Sequence, residues 1–261
     1  MSISAKDVAR LRKMTDAPMM DCKTALTECE GDFEAAKDWL RKRGLKQADK
    51  KADRDTNQGL VGYAFWPGGI GVSIAEVNCE TDFVARNEKF HELVDIIAND
   101  CQKGIEVDLA RYIGTLGENL SIGGRAIMEG SKDNIAIYVH GKVNETMGSM
   151  VVAVKYVGGN SEAAYNVAMH IAATAPKAVS VSDLDQKWVA KEKAFQIEQA
   201  VESGKPQDIA EKMVAGRMQK TLKEVVLMSQ PFVMDATKTI EDVANEAGIT
   251  ITAFVRIKVG E

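Results

Sequence analysis

Residues 63–77 read Y-A-F-W-P-G-G-I-G-V-S-I-A-E-V, and this stretch decides the fold. Two runs rich in aromatic and β-branched residues flank a Pro-Gly-Gly turn, which is the pattern of a β-hairpin. A helix is predicted to follow from Asn87, a residue type that caps helices well. Its apolar positions recur at helical spacing and should be buried; they are Phe90, Leu93, Val94, Ile97 and Cys101. The pattern predicts a small antiparallel sheet covered by a helix.

The same pattern recurs further along the chain. Residues 134–156, N-I-A-I-Y-V-H-G-K-V-N-E-T-M-G-S-M-V-V-A-V-K-Y, predict a second hairpin. The helix after it carries its apolar side chains at Tyr165, Ala168, Met169, Ile171 and Ala172. Hairpin and helix recur at one offset, as two pairs illustrate: Gly71 with Gly148, and Phe90 with Val167. We therefore predict an α+β fold with two related subdomains, residues 58–139 and 140–261, each a small antiparallel sheet covered by helices.

A helical hairpin is predicted as an insertion in the second subdomain, over residues 183–228. Its first helix offers a coiled-coil seam at Ala190, Ala194, Ile197 and Val201, and Gly204 with Pro206 should end it. The return helix, residues 207–226, carries apolar side chains at Ile209, Met213, Met218, Leu222 and Val225. After it, Q-P-F-V-M-D, a helix ended by Gly248 and a last strand are expected to complete the sheet.

The first 44 residues are predicted to form a separate three-helix module. Ser4 suits the start of the first helix, Pro18 the start of the second and Asp32 that of the third, and Gly44 is predicted to end the third as a left-handed residue. Such small three-helix modules resemble ubiquitin-associated domains, and they more often dock onto something than work alone. The charged stretch that follows, residues 45–57, is predicted to be a linker.

Composition narrows the class of function. The chain has 261 residues, a net charge of −5, a pI near 5.4 and 45% hydrophobic residues. An acidic chain is a poor general binder of nucleic acid, because such binding needs a cationic surface. No apolar run approaches the roughly 20 residues of a membrane span. The first ten residues resemble no export or import signal, and the four cysteines are scattered, so we expect a cytoplasmic protein with reduced thiols.

Catalytic and metal-binding motifs are not recognisable in the sequence. The three histidines, His91, His140 and His170, do not lie at metal-ligand spacing. His91 and His170 lie within predicted helices, where a structural role is expected. His140 precedes a glycine at a strand end and is a candidate partner contact. The sequence therefore predicts a binding or regulatory protein without cofactor or metal, and not an enzyme.

The stretch N-C-E-T-D-F-V-A-R-N, residues 78–87, joins the first hairpin to its helix. A large aromatic residue is most often buried, so the simplest interpretation puts Phe83 in the core. However, the position one helical turn after it is the polar Asn87. Phe83 therefore belongs to the turn between strand and helix, where an apolar side chain is a candidate interface anchor.

Several segments resemble the elongation factor Ts family. They include L-R-K-M-T-D-A-P-M-M-D-C-K-T-A-L at 11–26, E-V-N-C-E-T-D-F-V-A-R at 76–86 and L-G-E-N-L-S-I at 116–122. The likeness continues through M-H-I-A-A, S-G-K-P, A-E-K-M-V-A-G-R-M and Q-P-F-V, in the order of the family. It covers nearly the whole chain.

The resemblance implies a guanine-nucleotide exchange factor that binds the GDP form of elongation factor Tu, displaces Mg²⁺ and releases GDP. It implies that the T-D-F-V element acts at the nucleotide site; its residues are Thr81, Asp82, Phe83 and Val84. Further partner contacts are expected at Leu11, Arg12, Met19, Met20, Leu116, Gly117 and His140. A homodimer or 2:2 complex through the core or the helical hairpin is also expected.

Two positions differ from the family pattern, and two other functions compete with exchange. Pro18 stands where a small residue is usual, and Gly123-Gly124 where a basic pair is frequent. A contact that needs two cations at the second position is therefore not expected. The alternatives are a ubiquitin-type or general adaptor, because of the three-helix module, and an enzyme with an unrecognised active site.

Overall fold

The computed structural model describes residues 3–104, 107–202 and 207–261. The helices are α1 Ala5–Thr15, α2 Met19–Glu28, α3 Phe33–Lys51, α4 Asp82–Ala85, α5 Glu88–Asp100, α6 Leu109–Leu116, α7 Ser161–Thr174, α8 Gln186–Glu202, α9 Gln207–Val225 and α10 Ile240–Ala247. The strands are β1 Gln58–Phe65, β2 Gly71–Cys79, β3 Leu120–Glu129, β4 Ile135–His140, β5 Met147–Gly148, β6 Met150–Val157, β7 Pro231–Phe232, β8 Asp235–Thr239 and β9 Thr250–Lys258. The predicted α+β class is confirmed.

The first sheet has the strand order β3-β2-β1-β5, and its neighbouring strands run antiparallel. The predicted hairpin is present as β1 and β2, with Phe65 opposite Val72 at its closed end. The turn passes through Gly68 and Gly69, whose φ angles of 80° and 66° lie in the left-handed region that glycine adopts without strain. The Pro-Gly-Gly signal is thus explained by the turn.

The second sheet has the order β4-β6-β9, and its strands also run antiparallel. Strands β4 and β6 form the predicted second hairpin. Between them the chain makes the two-residue strand β5, which pairs with β1 of the first sheet. The chain therefore enters the second sheet with β4, returns to the first with β5 and enters the second again with β6. Strand β4 lies almost entirely before the predicted division at residues 139 and 140.

The two sheets pack face to face, and helices cover their outer faces. The inner layer is apolar and includes Val61, Ile74, Val139 and Val151. Helices α5 and α6 pack on the outside of the first sheet, and α7 and α10 on the outside of the second. The core thus has four layers, helix–sheet–sheet–helix.

The N-terminal module has the three predicted helices, but the third is longer than expected. Asp32 caps α3, and the helix continues through Gly44 to Lys51. The prediction that Gly44 ends the helix is wrong. A Cβ at Gly44 would lie 3.1 Å from the carbonyl oxygen of Ala110 in α6, so the missing side chain lets the two helices approach closely. The first seven residues of the predicted linker are therefore helical.

The inserted hairpin consists of α8 and α9, but its seam differs from the predicted one. The side chains between the helices are those of Val189, Ile197, Ala200, Val214, Met218 and Leu222. Ala190, Ala194 and Val201 are exposed, and so is Met213 of the return helix. Of the predicted seam residues only Ile197 contributes. The face of α8 that is turned towards α9 carries Val189 and Ala200 instead of their neighbours Ala190 and Val201. Gly204, Pro206 and the side chain of Ile209 lie outside the described residues.

Candidate functional site

The T-D-F-V element forms one helical turn between β2 and α5. Thr81 caps the turn, which is α4, and its side chain accepts a hydrogen bond from the backbone N–H of Val84 at 3.4 Å. Val84 and Ala85 are buried beneath the turn, whereas the Phe83 side chain is 81% exposed. The interpretation of Phe83 as a core residue is therefore wrong, and its assignment to an exposed turn is correct.

The ends of the turn are fixed by local contacts. The Cys79 thiol donates to the carbonyl oxygen of Thr81 at 3.2 Å, and Asp82 pairs with Arg86 at 2.9 Å. Nε2 of His91 lies 2.9 Å from the carbonyl oxygen of Ala85. These contacts hold the backbone on both sides of Phe83, so that its ring projects from an ordered turn.

Glu118, in the loop between α6 and β3, makes three further hydrogen bonds to this region. Its Oε2 accepts from the backbone N–H groups of Glu80 and Thr81 at 3.1 and 3.0 Å. Its Oε1 accepts from the Thr81 hydroxyl at 2.5 Å. One carboxylate therefore satisfies two successive backbone donors and the cap of α4.

Glu80 in turn binds the loop that carries Glu118. Its Oε1 accepts from the backbone N–H of Asn119 at 2.6 Å and lies 3.3 Å from Arg54. The Asn119 amide in turn donates to the carbonyl oxygen of Arg54 at 2.8 Å. The Asn119 N–H, with Arg54 in addition, lowers the pKa of Glu80. The carboxylates of Glu80 and Glu118 together join the T-D-F-V turn, the predicted linker and the α6–β3 loop.

The network brings two of the predicted contact groups together. Leu116 ends α6, and Gly117 follows it in the left-handed conformation with φ 81°. Glu118 comes next, so the Leu116–Gly117 corner lies beside the T-D-F-V turn. His140 lies at the end of β4 in the second sheet, where it is exposed and its Nδ1 is 3.0 Å from the Tyr138 hydroxyl.

The module presents its predicted contact residues around the α1–α2 turn. Arg12 is exposed, as are Met19 and Met20, with exposed fractions of 52% and 68%. The structure corrects the place of Leu11, which is fully buried in the core of the module. Its role is to support α1, because no part of it is accessible to another protein.

Asp16, in the same turn, links the module to the core. Its carboxylate lies 3.2 Å from Lys89 of α5 and 2.8 Å from Arg111 of α6. Burial alone would raise the pKa of Asp16, but the hydrogen bonds and charges of Lys89 and Arg111 outweigh it and lower the pKa. With the close crossing of α3 and α6, this contact orients the module relative to the T-D-F-V turn.

The Gly123-Gly124 pair has a structural explanation. Glu76 is buried in β2, and its carboxylate accepts from the backbone N–H groups of Gly124 and Gly260, each at 2.9 Å. A Cβ at Gly123 would overlap the Glu76 carboxylate. The missing side chain of Gly123 therefore makes room for the buried Glu76 carboxyl group, which connects β2 with Gly124 and Gly260, and a basic side chain at position 123 would collide with it.

Groups with enzymatic potential are scarce in the described part of the chain. No cluster of three or more metal-ligating side chains occurs there, and no helix there is long and apolar enough to cross a membrane. Cys79 is buried beside the T-D-F-V turn, and burial raises the pKa of its thiol to about 12, so it stays protonated. The groups at the turn can therefore act through van der Waals contacts and electrostatic interactions.

The sequence interpretation missed Glu118 and Asn119 as parts of the site. Both belong to a segment that carried the family resemblance, but a glutamate after Gly117 has the spacing of an ordinary turn residue. Their partners lie at least 37 positions away, so local patterns contain no signal for the contact.

Comparisons with known proteins agree on one class. The family model for elongation factor TS matches residues 80–261. The elongation factor Ts proteins of Dinoroseobacter shibae and Ruegeria sp. (strain TM1040) are each 44% identical to the chain, and that of Bartonella henselae is 40% identical. Each match covers 100% of the chain and 94% of the relative.

These matches, with the α+β core and its exposed turn, define a translation elongation factor. Within that class, the chain belongs to the elongation factor Ts family. The resemblance inferred from the sequence is confirmed.

Proposed function

We propose that the protein is a guanine-nucleotide exchange factor for elongation factor Tu. It binds the GDP form of this GTPase, weakens the site of Mg²⁺ and accelerates GDP release, after which GTP binds. The protein catalyses no covalent chemistry and uses no cofactor or metal of its own. The observation that carries the proposal is the 81% exposure of Phe83 on a turn held from both sides.

The mechanism follows from the shape of that turn. Mg²⁺ bridges the β-phosphate to protein ligands and neutralises its charge, so a shift of those ligands weakens the hold on GDP. An apolar ring that enters a packed interface moves an element between discrete positions, because packed cores do not deform gradually. In the proposal Phe83 is this wedge, and Asp82 beside it offers a carboxylate to polar groups in their displaced positions.

Thr81 and Val84 act differently from Phe83. Thr81 is half-buried and caps the turn, and Val84 is buried beneath it. In the proposal both residues hold the turn so that Phe83 projects from it, and neither adds much area to the interface with the GTPase. Arg12, Met19, Met20, Leu116, Gly117 and His140 supply the contacts that bring the wedge to its place.

The remaining expectations are parts of the same proposal. The protein acts in the bacterial cytoplasm, contacts no nucleic acid or membrane directly, and forms a homodimer or 2:2 complex through its core or its α8–α9 hairpin. Light scattering of the protein alone and with the GTPase measures these stoichiometries.

The test is the release of labelled GDP from elongation factor Tu with wild type and Phe83→Ala. A central aromatic anchor contributes about 2 kcal/mol or more to an interface, so we expect stimulated release to fall by at least about tenfold. The matched control is Phe195→Ala, because Phe195 is 53% exposed on α8, and it should leave release unchanged. No stimulation by wild type would refute the function, and equal losses in both variants would refute the role of the turn.

A further inference from the structure

The T-D-F-V turn is too short to hold its own shape. Helix α4 has only four residues. A single turn gains too few internal hydrogen bonds to offset the ordering of its backbone. Contacts from outside the turn must therefore fix the direction in which Phe83 points.

Those contacts divide into two kinds. The apolar side chains of Val84 and Ala85 anchor the turn to the core, but such packing is not directional. The hydrogen bonds from Glu80 and Thr81 to Glu118 are directional, and an ionised acceptor makes them stronger than neutral bonds. They act on the two residues at which β2 ends and the turn begins.

We propose that Glu118 is a positioning residue for Phe83. Its carboxylate fixes the backbone at Glu80 and Thr81 and thereby holds the ring ready for insertion into the GTPase. This inference rests on the proposed function, since it assigns a role within nucleotide exchange. Glu118 acts through the turn and makes no contact with nucleotide.

A loosened turn should affect one step of exchange more than the other. In the proposal the first encounter with the GTPase uses the N-terminal module, and the Glu118 hydrogen bonds go to Glu80 and Thr81 instead of to that module. Insertion of the Phe83 ring requires that the turn already has its bound conformation. If the turn is less ordered, a smaller fraction of the encounter complexes can proceed to insertion. Loss of Glu118 should therefore lower the maximum release rate more than it raises the half-saturating concentration of the factor.

The experiment uses the full-length protein and GDP-loaded elongation factor Tu, with release rates measured across a range of factor concentrations. The variants are Glu118→Ala, Glu118→Gln, Phe83→Ala and the double variant Glu118→Ala/Phe83→Ala. Glu118→Gln keeps the side-chain size and one acceptor oxygen, so it guards against simple failure to fold. The matched control is Glu198→Gln, which makes the same charge change on the exposed face of α8.

We expect Glu118→Ala to reduce the maximum release rate by about tenfold and the half-saturating concentration to change by less than about threefold. Glu118→Gln should fall between this variant and wild type. The double variant should be no slower than Phe83→Ala, because the two residues act on the same step. Additive losses would overturn the proposal, and so would a wild-type maximum rate in Glu118→Ala.

Leu116 provides a test of the competing route, in which Glu118 merely supports the neighbouring corner. If that route operated, Glu118→Ala would be additive with Phe83→Ala and non-additive with Leu116→Ala. This result would also overturn the proposal.

Amide hydrogen exchange separates this inference from the proposed function. In Glu118→Ala the amides of Glu80 and Thr81 should exchange at least about tenfold faster, with amides of α5 unchanged. If wild type failed to stimulate GDP release, exchange activity would be refuted regardless of these amide rates. If wild type stimulated release but the Glu80 and Thr81 amides were unaffected by the variant, the positioning role alone would be refuted.

Discussion

His170 is a fully buried histidine with both ring nitrogens engaged. Nε2 lies 2.8 Å from Oε1 of Gln230, and Nδ1 accepts from the backbone N–H of Val233 at 3.3 Å. Nδ1 is thus the acceptor, which leaves the proton on Nε2 to donate to Gln230. This neutral form satisfies both partners, whereas a second proton on Nδ1 would break the bond to Val233. Burial accordingly lowers the pKa of His170.

The pH dependence of stability should report this histidine. The unfolded chain takes up a proton on His170 as the pH falls below about 6.5, whereas the folded chain resists. Stability from His170 is therefore complete above that pH and is lost as the pH falls towards the folded-state pKa. His170→Gln should be less stable by about 1–3 kcal/mol at pH 7.5, since it leaves buried polar groups unpaired.

Urea unfolding of wild type and His170→Gln at pH 7.5 and pH 5 measures the effect. The difference in free energy of unfolding between the two proteins should be smaller at pH 5. At that pH the unfolded wild-type chain is stabilised by the proton on His170, whereas the glutamine variant has no such group. A difference of the same size at both pH values would show that His170 titrates alike in the folded and unfolded chains.

At the scale of elements, the crossing of α3 and α6 depends on Gly44. Glycine inside a helix normally costs about 0.5–1 kcal/mol relative to alanine. Gly216 in α9 faces open space, so Gly216→Ala should recover that stability. At Gly44 the new methyl group would press on the Ala110 carbonyl, so Gly44→Ala should gain nothing or lose stability. Thermal unfolding compares the two variants, and an equal gain at both sites would show that α3 does not dock on α6.

The α8–α9 hairpin should be the least important element for exchange. It has its own small core, but its base is fixed by a hydrogen bond of 2.8 Å from the Lys177 N–H to the Val225 carbonyl oxygen. Replacement of residues 190–220 by a short flexible link keeps that base. Most contacts outside an interface centre are nearly neutral, so release should change by less than about threefold. A loss as large as that of Phe83→Ala would place the hairpin in the exchange step.

The elements that the sequence predicted well are those with local causes. The Pro-Gly-Gly turn, the caps at Asn87 and Asp32 and the end of α10 at Gly248 depend on residues within one turn of each other. The role of Gly44 depends on Ala110, far along the chain, and local patterns cannot contain it. The prediction of the hairpin seam was wrong for a related reason. Periodicity identifies apolar stripes on a helix, but it does not tell which stripe packs against the neighbouring helix.

The T-D-F-V turn shows the same division. Its position and the exposure of Phe83 followed from the polar Asn87 one turn later, together with the family resemblance. Its attachment to Glu118 and Asn119 required the folded chain.

For the whole molecule, linkage constrains how exchange can work. A factor that consumes no energy can only favour a GTPase conformation that binds GDP weakly. The ratio by which the factor lowers the affinity for GDP must then equal the ratio by which GDP lowers the affinity for the factor. If the turn acts on the Mg²⁺ site, raised Mg²⁺ at fixed GDP should loosen the complex. Phe83→Ala should show a flatter dependence on Mg²⁺, because its wedge is missing.

A titration of complex affinity against Mg²⁺ measures both slopes, with Phe195→Ala as the control. Identical slopes for wild type and Phe83→Ala would mean that the turn contributes adhesion alone. Chelation of Mg²⁺ without any factor should reproduce part of the acceleration of GDP release.

The path of the chain between the sheets has a consequence for how the protein can be divided. The exposed loop at residues 141–145 separates β4, which pairs in the second sheet, from β5, which pairs in the first. A cut in this loop yields two fragments, each of which carries a strand that belongs to the sheet of the other. Neither fragment can close its own sheet, and each leaves an open edge for its counterpart. Co-expressed halves should therefore reassemble by reciprocal strand donation, which makes this loop the natural position for a split-protein reporter.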